Sequence, residues 1–172
     1  AGGERLTVKL QKLFEPISIG KMRLKNRIIM PPMGTNYATD EGEVTDRLID
    51  YYAERARGGA GLIMVEIVCV DAPAGKFLAH QLCLHRDSYI PGFRRLAQEV
   101  HDAGAKIAMQ IHHAGRRTWT RLTGRPLVAP SPIPFLGGEM PRELTVAEIE
   151  GLVELGQPQH LRALGVDVVR VA

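Results

Sequence analysis

The sequence predicts an α/β fold in which parallel strands are joined by crossover helices. Three observations carry that expectation. Short apolar runs alternate with stretches of helical periodicity. One run, "GLIMVEIVCV" (Gly61 to Val70), is nearly all apolar, as a strand buried on both faces should be. Glycines stand where the helices should stop, at Gly58, Gly59 and Gly104.

The elements come in a simple order. "RIIMPPM" (Arg27 to Met33) is the first expected strand, brought to an end by Pro31 and Pro32. "TDRLIDYYAERARGG" is the first helix: Thr45 suits the N-cap, and Leu48, Ile49, Tyr52 and Ala56 recur at helical spacing. Gly61 to Val70 is the second strand. "YIPGFRRLAQEVHDAGA" is the second helix, with Pro91 at its start and Phe93, Leu96, Ala97 and Val100 on one side. "KIAMQIHH" is the third strand.

The proline-rich stretch "RPLVAPSPIPFLGGEMPREL" is expected to hold no regular element and to run over a surface. "LTVAEIEGLVEL" is a third helix, opened by Thr145 with Glu148 three residues on, a capping box. Pro158 should shorten or kink that helix, because an interior proline removes a helical hydrogen bond. "GVDVVRVA" is a fourth short strand. Such a series of βα units suits an open doubly wound sheet or part of a (β/α)8 barrel, and periodicity does not choose between them.

Composition narrows the function classes. The 172 residues are 45% hydrophobic and 24% charged, ordinary for a globular domain with a sizeable core. Net charge is only +3, from 22 basic and 19 acidic residues, and aromatics are 5%. A scattered excess of that size with few rings to stack on bases argues against nucleic acid. No run approaches the ~18 apolar residues of a membrane span. The amino terminus has no apolar signal-peptide core, so a cytoplasmic location is expected. Cys69 and Cys83, without CxxC spacing, read as buried thiols rather than a disulfide frame or a zinc site.

In either architecture, ligands gather at the carboxyl ends of the strands. Three stretches mark those ends: "PPMGTNYA", "VEIVCVDAPAGK" and "QIHHAGRR". No GxGxxG comes after the first strand and no Walker glycine loop is present, which disfavours NAD or ATP bound in the usual way. A GxSxG nucleophile elbow is also missing. His112 and His113 are adjacent on an expected strand, so their side chains diverge and one metal ion does not readily take both; no metal site is expected. Gln110 shares one strand face with His112, and Ile111 shares the other with His113. Glu66 could be an acid, but a carboxylate at a strand end more often accepts local bonds. His80 and His85 read as surface residues, and Arg116 with Arg117 as a solvated pair.

Taken together, "LFEPISIGKMRLKNRIIMPPMGTNYA", "DRLIDYYAERARGGAGLIMVE", "QIHHAGR", "VAPSPIP" and "GGEMPRELTVAEIE" are more specific than any one piece. In this order they resemble the Old Yellow Enzyme family of FMN-dependent oxidoreductases, and the branch with bacterial 2,4-dienoyl-CoA and enoate reductases. The resemblance implies a (β/α)8 TIM barrel, of which these 172 residues would supply the first four βα units as one amino-terminal part. It implies FMN as cofactor, NADH or NADPH as reductant, and an activated alkene as substrate. By motif, Pro32, Met33 and Gly34 would lie along the flavin, Ile67 near its ring edge, and Gln110 against its pyrimidine side. His112 would face the substrate pocket, while His113 and Arg116 would order the adjoining loop, with His113 toward the helical layer.

The family's substrate-anchoring residues, its proton-donating tyrosine and its phosphate grip fall beyond Ala172. That leaves the catalytic residues unassigned apart from His112. It also implies a homo-oligomer or a partner that supplies the other half-barrel. The competing expectation is a non-catalytic half-barrel that acts only in assembly.

Overall fold

The computed structural model describes residues 10–156. A short helix α1 (Gln11–Phe14) leads into an antiparallel hairpin of β1 (Ile17–Ile19) and β2 (Met22–Leu24), turning at Gly20 with φ +58°. Then come β3 (Ile29–Met30), α2 (Asp46–Arg57), β4 (Leu62–Cys69), α3 (Ile90–Asp102) and β5 (Lys106–His112). The last elements are α4 (Thr120–Thr123), β6 (Val128–Ala129), β7 (Arg142–Glu143) and α5 (Val146–Leu155). Strands β3, β4 and β5 form one parallel sheet in that order, so α2 and α3 are crossover connections.

The helices form where periodicity and caps coincide. Thr45 caps α2 by accepting the Leu48 N–H, and Gly58 closes it. Leu48, Ile49, Tyr52 and Ala56 are all buried, as are Phe93, Leu96, Ala97 and Val100 of α3. These faces pack on Ile63, Val65, Val68 and Ile107 of the sheet to form the main core. The opposite sheet face buries Leu62 and Ala108 against Leu24, with Ile17, Ile19, Met22 and Met64 around them. The hairpin therefore plugs the amino-terminal end of that inner face and leaves its carboxyl end open.

A β-bulge interrupts β4. Val65 pairs with Met109 and Ile67 with Gln110, so Glu66 is the extra residue. Side-chain parity switches there: Ile63 and Val65 join the helix-side core, and so does Val68, three residues on. Ile67 therefore falls on the inner face, where it is half-buried.

Two long loops, after β3 and after β4, are stitched together through backbone and side chains alike. Ala38 N–H donates to His80 O at 3.2 Å, and Cys83 N–H to Gly42 O at 3.0 Å. Asn36, at φ +59°, accepts the His80 N–H on its side-chain oxygen at 2.8 Å. The left-handed conformation suits asparagine better than most residues.

Several expectations need correction. The first strand is only Ile29–Met30, not Arg27 to Met33, because Pro31 and Pro32 have no N–H to give to a ladder. The stretch 125–144 is not free of regular structure: Val128–Ala129 and Arg142–Glu143 pair in parallel. The hairpin at 17–24 adds a sheet that the helical and strand runs did not announce. The capping box of α5 is present, Thr145 and Glu148 each accepting the other's backbone N–H. Pro158 and the expected strand at 165–172 lie outside the described residues.

Candidate functional site

The inner face ends in a set of side chains with few local commitments. Gln110 and His112 succeed Ala108 on that face of β5, as strand alternation requires. Gln110 is exposed, and its amide makes no hydrogen bond among the described residues. Ile67 stands opposite it in register across the β4–β5 ladder. After β3, Pro32 is half-buried, while Met33 and Gly34 are exposed. Met33 keeps 52% of its surface open, unusual for a residue that would serve as core.

Glu66 ties these segments together. It is fully buried, and its Oε2 accepts the Thr35 N–H at 2.7 Å and the Tyr52 hydroxyl at 3.2 Å. The Glu66 N–H, freed from the ladder by the bulge, donates to the same Tyr52 oxygen at 2.9 Å. The carboxylate thus holds the Pro32–Gly34 segment, through Thr35, beside the bulge that presents Ile67. Burial raises the Glu66 pKa above the usual carboxylate value, against the bonds from Thr35 and Tyr52. Its Oε1 is buried without a hydrogen-bond partner among the described residues. Burial, followed by the Glu66 charge, raises the Tyr52 phenol as well. Glu66 is an acceptor as expected, but its partners are not local: the Thr35 N–H and the Tyr52 hydroxyl come from a loop and a helix distant in sequence.

The two histidines part as expected. His112 Nδ1 lies 3.4 Å from Gln81 Nε2, and its ring meets Phe77 edge-on at 6.4 Å between centroids. Phe77 in turn stacks on Trp119 at 6.0 Å. Burial first, then the His113 and Arg117 charges, lower the His112 pKa. His113 goes elsewhere: its Nδ1 accepts the Gly115 N–H at 3.0 Å, and its Nε2 lies 3.4 Å from Asp71. A Cβ on Gly75 would stand 2.7 Å from the His113 ring. His113 therefore orders the loops, as its motif implied, but it packs on the Asp71–Gly75 turn rather than on the helices.

The arginines are less free than a solvated pair would be. Arg116 donates to Ile133 O at 3.1 Å, and the Arg117 guanidinium sits 4.6 Å over the Phe135 ring. His80 pairs with Asp40 at 2.8 Å on the surface. His85 is partly buried, with Nδ1 lacking a partner among the described residues, and burial lowers its pKa. Cys69 and Cys83 are buried free thiols on paired backbone positions.

Sequence reasoning missed Thr35, Phe77, Gln81 and Trp119. Gln81 carried a signal, since a lone amide between His80 and "LCL" needs partners if it is buried. The others carried none, because loop side chains meet only through the tertiary fold.

Comparison with known proteins bears on the family and the fold. Residues 12–155 match the model of the NADH:flavin oxidoreductase / NADH oxidase family. The chain belongs to this family, within which it is of the Old Yellow Enzyme type. It is 54% identical over 156 residues to an NADH oxidase of Thermoanaerobacter brockii, a match covering 89% of this chain and 24% of that protein. It is 51% identical over 142 residues to a metal reductase of Desulforamulus reducens, covering 82% and 21%. Among solved structures, the Old Yellow Enzyme homologue of Zymomonas mobilis superposes with a TM-score of 0.81 at 30% identity, over 91% of this chain and 46% of that one. The sequence thus spans a quarter or less of those two relatives. The strands and helices described above match part of an Old Yellow Enzyme TIM barrel. Among the described residues, no helix is long and apolar enough to cross a membrane.

Proposed function

We propose that this chain is the amino-terminal part of an FMN-binding (β/α)8 barrel that passes hydride from NADH or NADPH to an activated C=C bond. The observation that carries this is the Gln110 amide: exposed, without a hydrogen-bond partner among the described residues, and opposite Ile67 at the open end of the inner face. One amide offers a donor and an acceptor side by side, which matches the alternating C=O and N–H groups of a flavin's pyrimidine edge. Met33, after the strand on the far side of β4, adds an exposed polarizable apolar surface, and the missing side chain of Gly34 leaves room for Leu78, whose Cδ1 a Cβ there would meet at 2.7 Å. When bound, FMN supplies the two-electron chemistry between the nicotinamide and the alkene. The chain's own residues then bind and orient: Pro32, Met33 and Gly34 along the ring, Ile67 at its edge, Gln110 at its pyrimidine side, and His112 toward the substrate.

Flavin fluorescence titration of the purified chain tests the assignment. FMN should bind, and Gln110→Ala should weaken that binding roughly tenfold, the equivalent of one to two lost hydrogen bonds. Unchanged affinity in the variant would remove Gln110 from the flavin site.

A partner is favoured by open surfaces. Among the described residues β5 pairs only with β4, and α5 buries no side chain while exposing Val146, Ile149 and Val153. An apolar helix face left open among the described residues suits a complementary half-barrel, from a second copy or another chain. Assembly without catalysis would be the outcome if light scattering showed a stable oligomer that binds no flavin.

A further inference from the structure

Gln81 is fully buried in the loop between β4 and α3, and every polar atom of its side chain is engaged. Its Oε1 accepts two backbone N–H groups, from Phe77 at 2.6 Å and Leu78 at 3.1 Å. Two N–H donors cannot be met by an amide NH2, so the orientation of the amide is determined. The NH2 end therefore faces His112 Nδ1, 3.4 Å away. A ring nitrogen opposite an N–H donor must present its lone pair. The neutral imidazole then carries its one proton on Nε2, and an imidazolium would set N–H against N–H.

We infer that Gln81 is a positioning residue that holds His112 as the neutral Nε2–H tautomer, giving the substrate pocket an uncharged hydrogen-bond donor. The geometry between Gln81 and His112 stands by itself; the role toward substrate rests on the flavin site proposed above. Nε2 makes no hydrogen bond among the described residues, so its proton is not committed to any of them. The other groups around His112 act in the same direction. Phe77, from the same loop as Gln81, is neutral, while His113 beyond the strand end and Arg117 in the adjoining turn disfavour a second positive charge. An uncharged donor of this kind suits a carbonyl oxygen, as in an unsaturated ketone, ester or thioester. It gives a free carboxylate no ion pair.

Long-range proton–nitrogen NMR on the nitrogen-15-labelled chain reads the His112 tautomer directly, with the ring signals assigned by loss in His112→Gln. The expected state near neutral pH is Nε2–H with an unprotonated Nδ1. In Gln81→Glu the near-isosteric carboxylate can still accept the Phe77 and Leu78 N–H groups, but it turns acceptor toward Nδ1. That variant should raise the apparent His112 pKa by about one unit or more and move the proton to Nδ1. An Nδ1–H tautomer in the native chain would overturn the inference. So would a cationic His112 at neutral pH, or an unchanged pKa in a folded Gln81→Glu protein. A flavin titration on the same sample reports separately on the site: the expected tautomer in a chain that binds no FMN would overturn the flavin assignment and leave the Gln81–His112 relation standing.

Discussion

Glu66 accepts the Thr35 backbone N–H at 2.7 Å, so a carboxylate at a bulge in one strand holds the loop that leaves the neighbouring strand. The same oxygen takes the Tyr52 hydroxyl, which binds α2 into the same unit. Strand, loop and helix meet at one buried side chain. Glu66→Gln keeps an acceptor for both partners and should change stability by less than about 1 kcal/mol. Glu66→Leu strands the Thr35 N–H and the Tyr52 hydroxyl and should cost roughly 1–3 kcal/mol. Urea midpoints separate the two; equal losses would mean that the carboxyl contributes volume alone.

The buried Glu66 also sets a pH slope. Its folded pKa is raised by burial, so the folded state holds the proton more tightly than the unfolded chain. Its contribution is full below the ordinary glutamate value and is lost as pH rises through the raised one. Stability should therefore fall across that window in the native protein, and Glu66→Gln should flatten the fall. A native profile that rises there would contradict the assignment.

Glu148 has the opposite sign. Hydrogen bonding from Arg142, then from Thr145, holds its pKa down to about 2. Its contribution is present above the ordinary glutamate pKa and is lost as pH falls toward about 2. Acid should fray α5 across that interval, seen as loss of helical circular dichroism that Glu148→Gln no longer shows. Thr145→Ala removes the N-cap acceptor and should cost about 1 kcal/mol of helix stability at neutral pH.

Two glycines should respond in opposite ways to alanine. Gly42 has φ +93°, and a Cβ there would stand 2.5 Å from Cys83 Sγ and 2.9 Å from Gln81 O. Strain and clash together should make Gly42→Ala cost roughly 2 kcal/mol or more. Gly151 lies inside α5 with open space around it, so Gly151→Ala should stabilise the helix by roughly 0.5–1 kcal/mol. Thermal melts of both variants check the pair, and a neutral Gly42→Ala would mean that the Gly42–Cys83 packing is loose.

Much of the fold was legible because local signals agreed. The buried faces of α2 and α3 contain the residues that periodicity selected, and Thr45 and Thr145 cap where their side chains required. Alternation placed Gln110 and His112 on one face of the strand, and the family resemblance made that face the inner one. The bulge at Glu66 was not legible: β4 is nearly all apolar, so a change of parity leaves no mark in its pattern. Ile67 could be placed by motif but not by periodicity. The β6–β7 pair was missed because two-residue strands carry too little pattern to stand out from a proline-rich loop. Gln81 and His112 lie 31 residues apart, and nothing local announces their contact.

The backbone stitching between the loops after β3 and β4 has a consequence for how such a chain can diverge. Main-chain groups at Ala38, Gly42, His80 and Cys83 make two of the bonds that join the two loops. Amide and carbonyl groups persist through nearly any substitution, so neighbouring side chains such as Phe77 and Leu78 are released from holding the platform together. Selection can exchange them to reshape what the site accepts while the platform keeps its form. Descendants of one ancestral scaffold could acquire different preferences without first having to rebuild it.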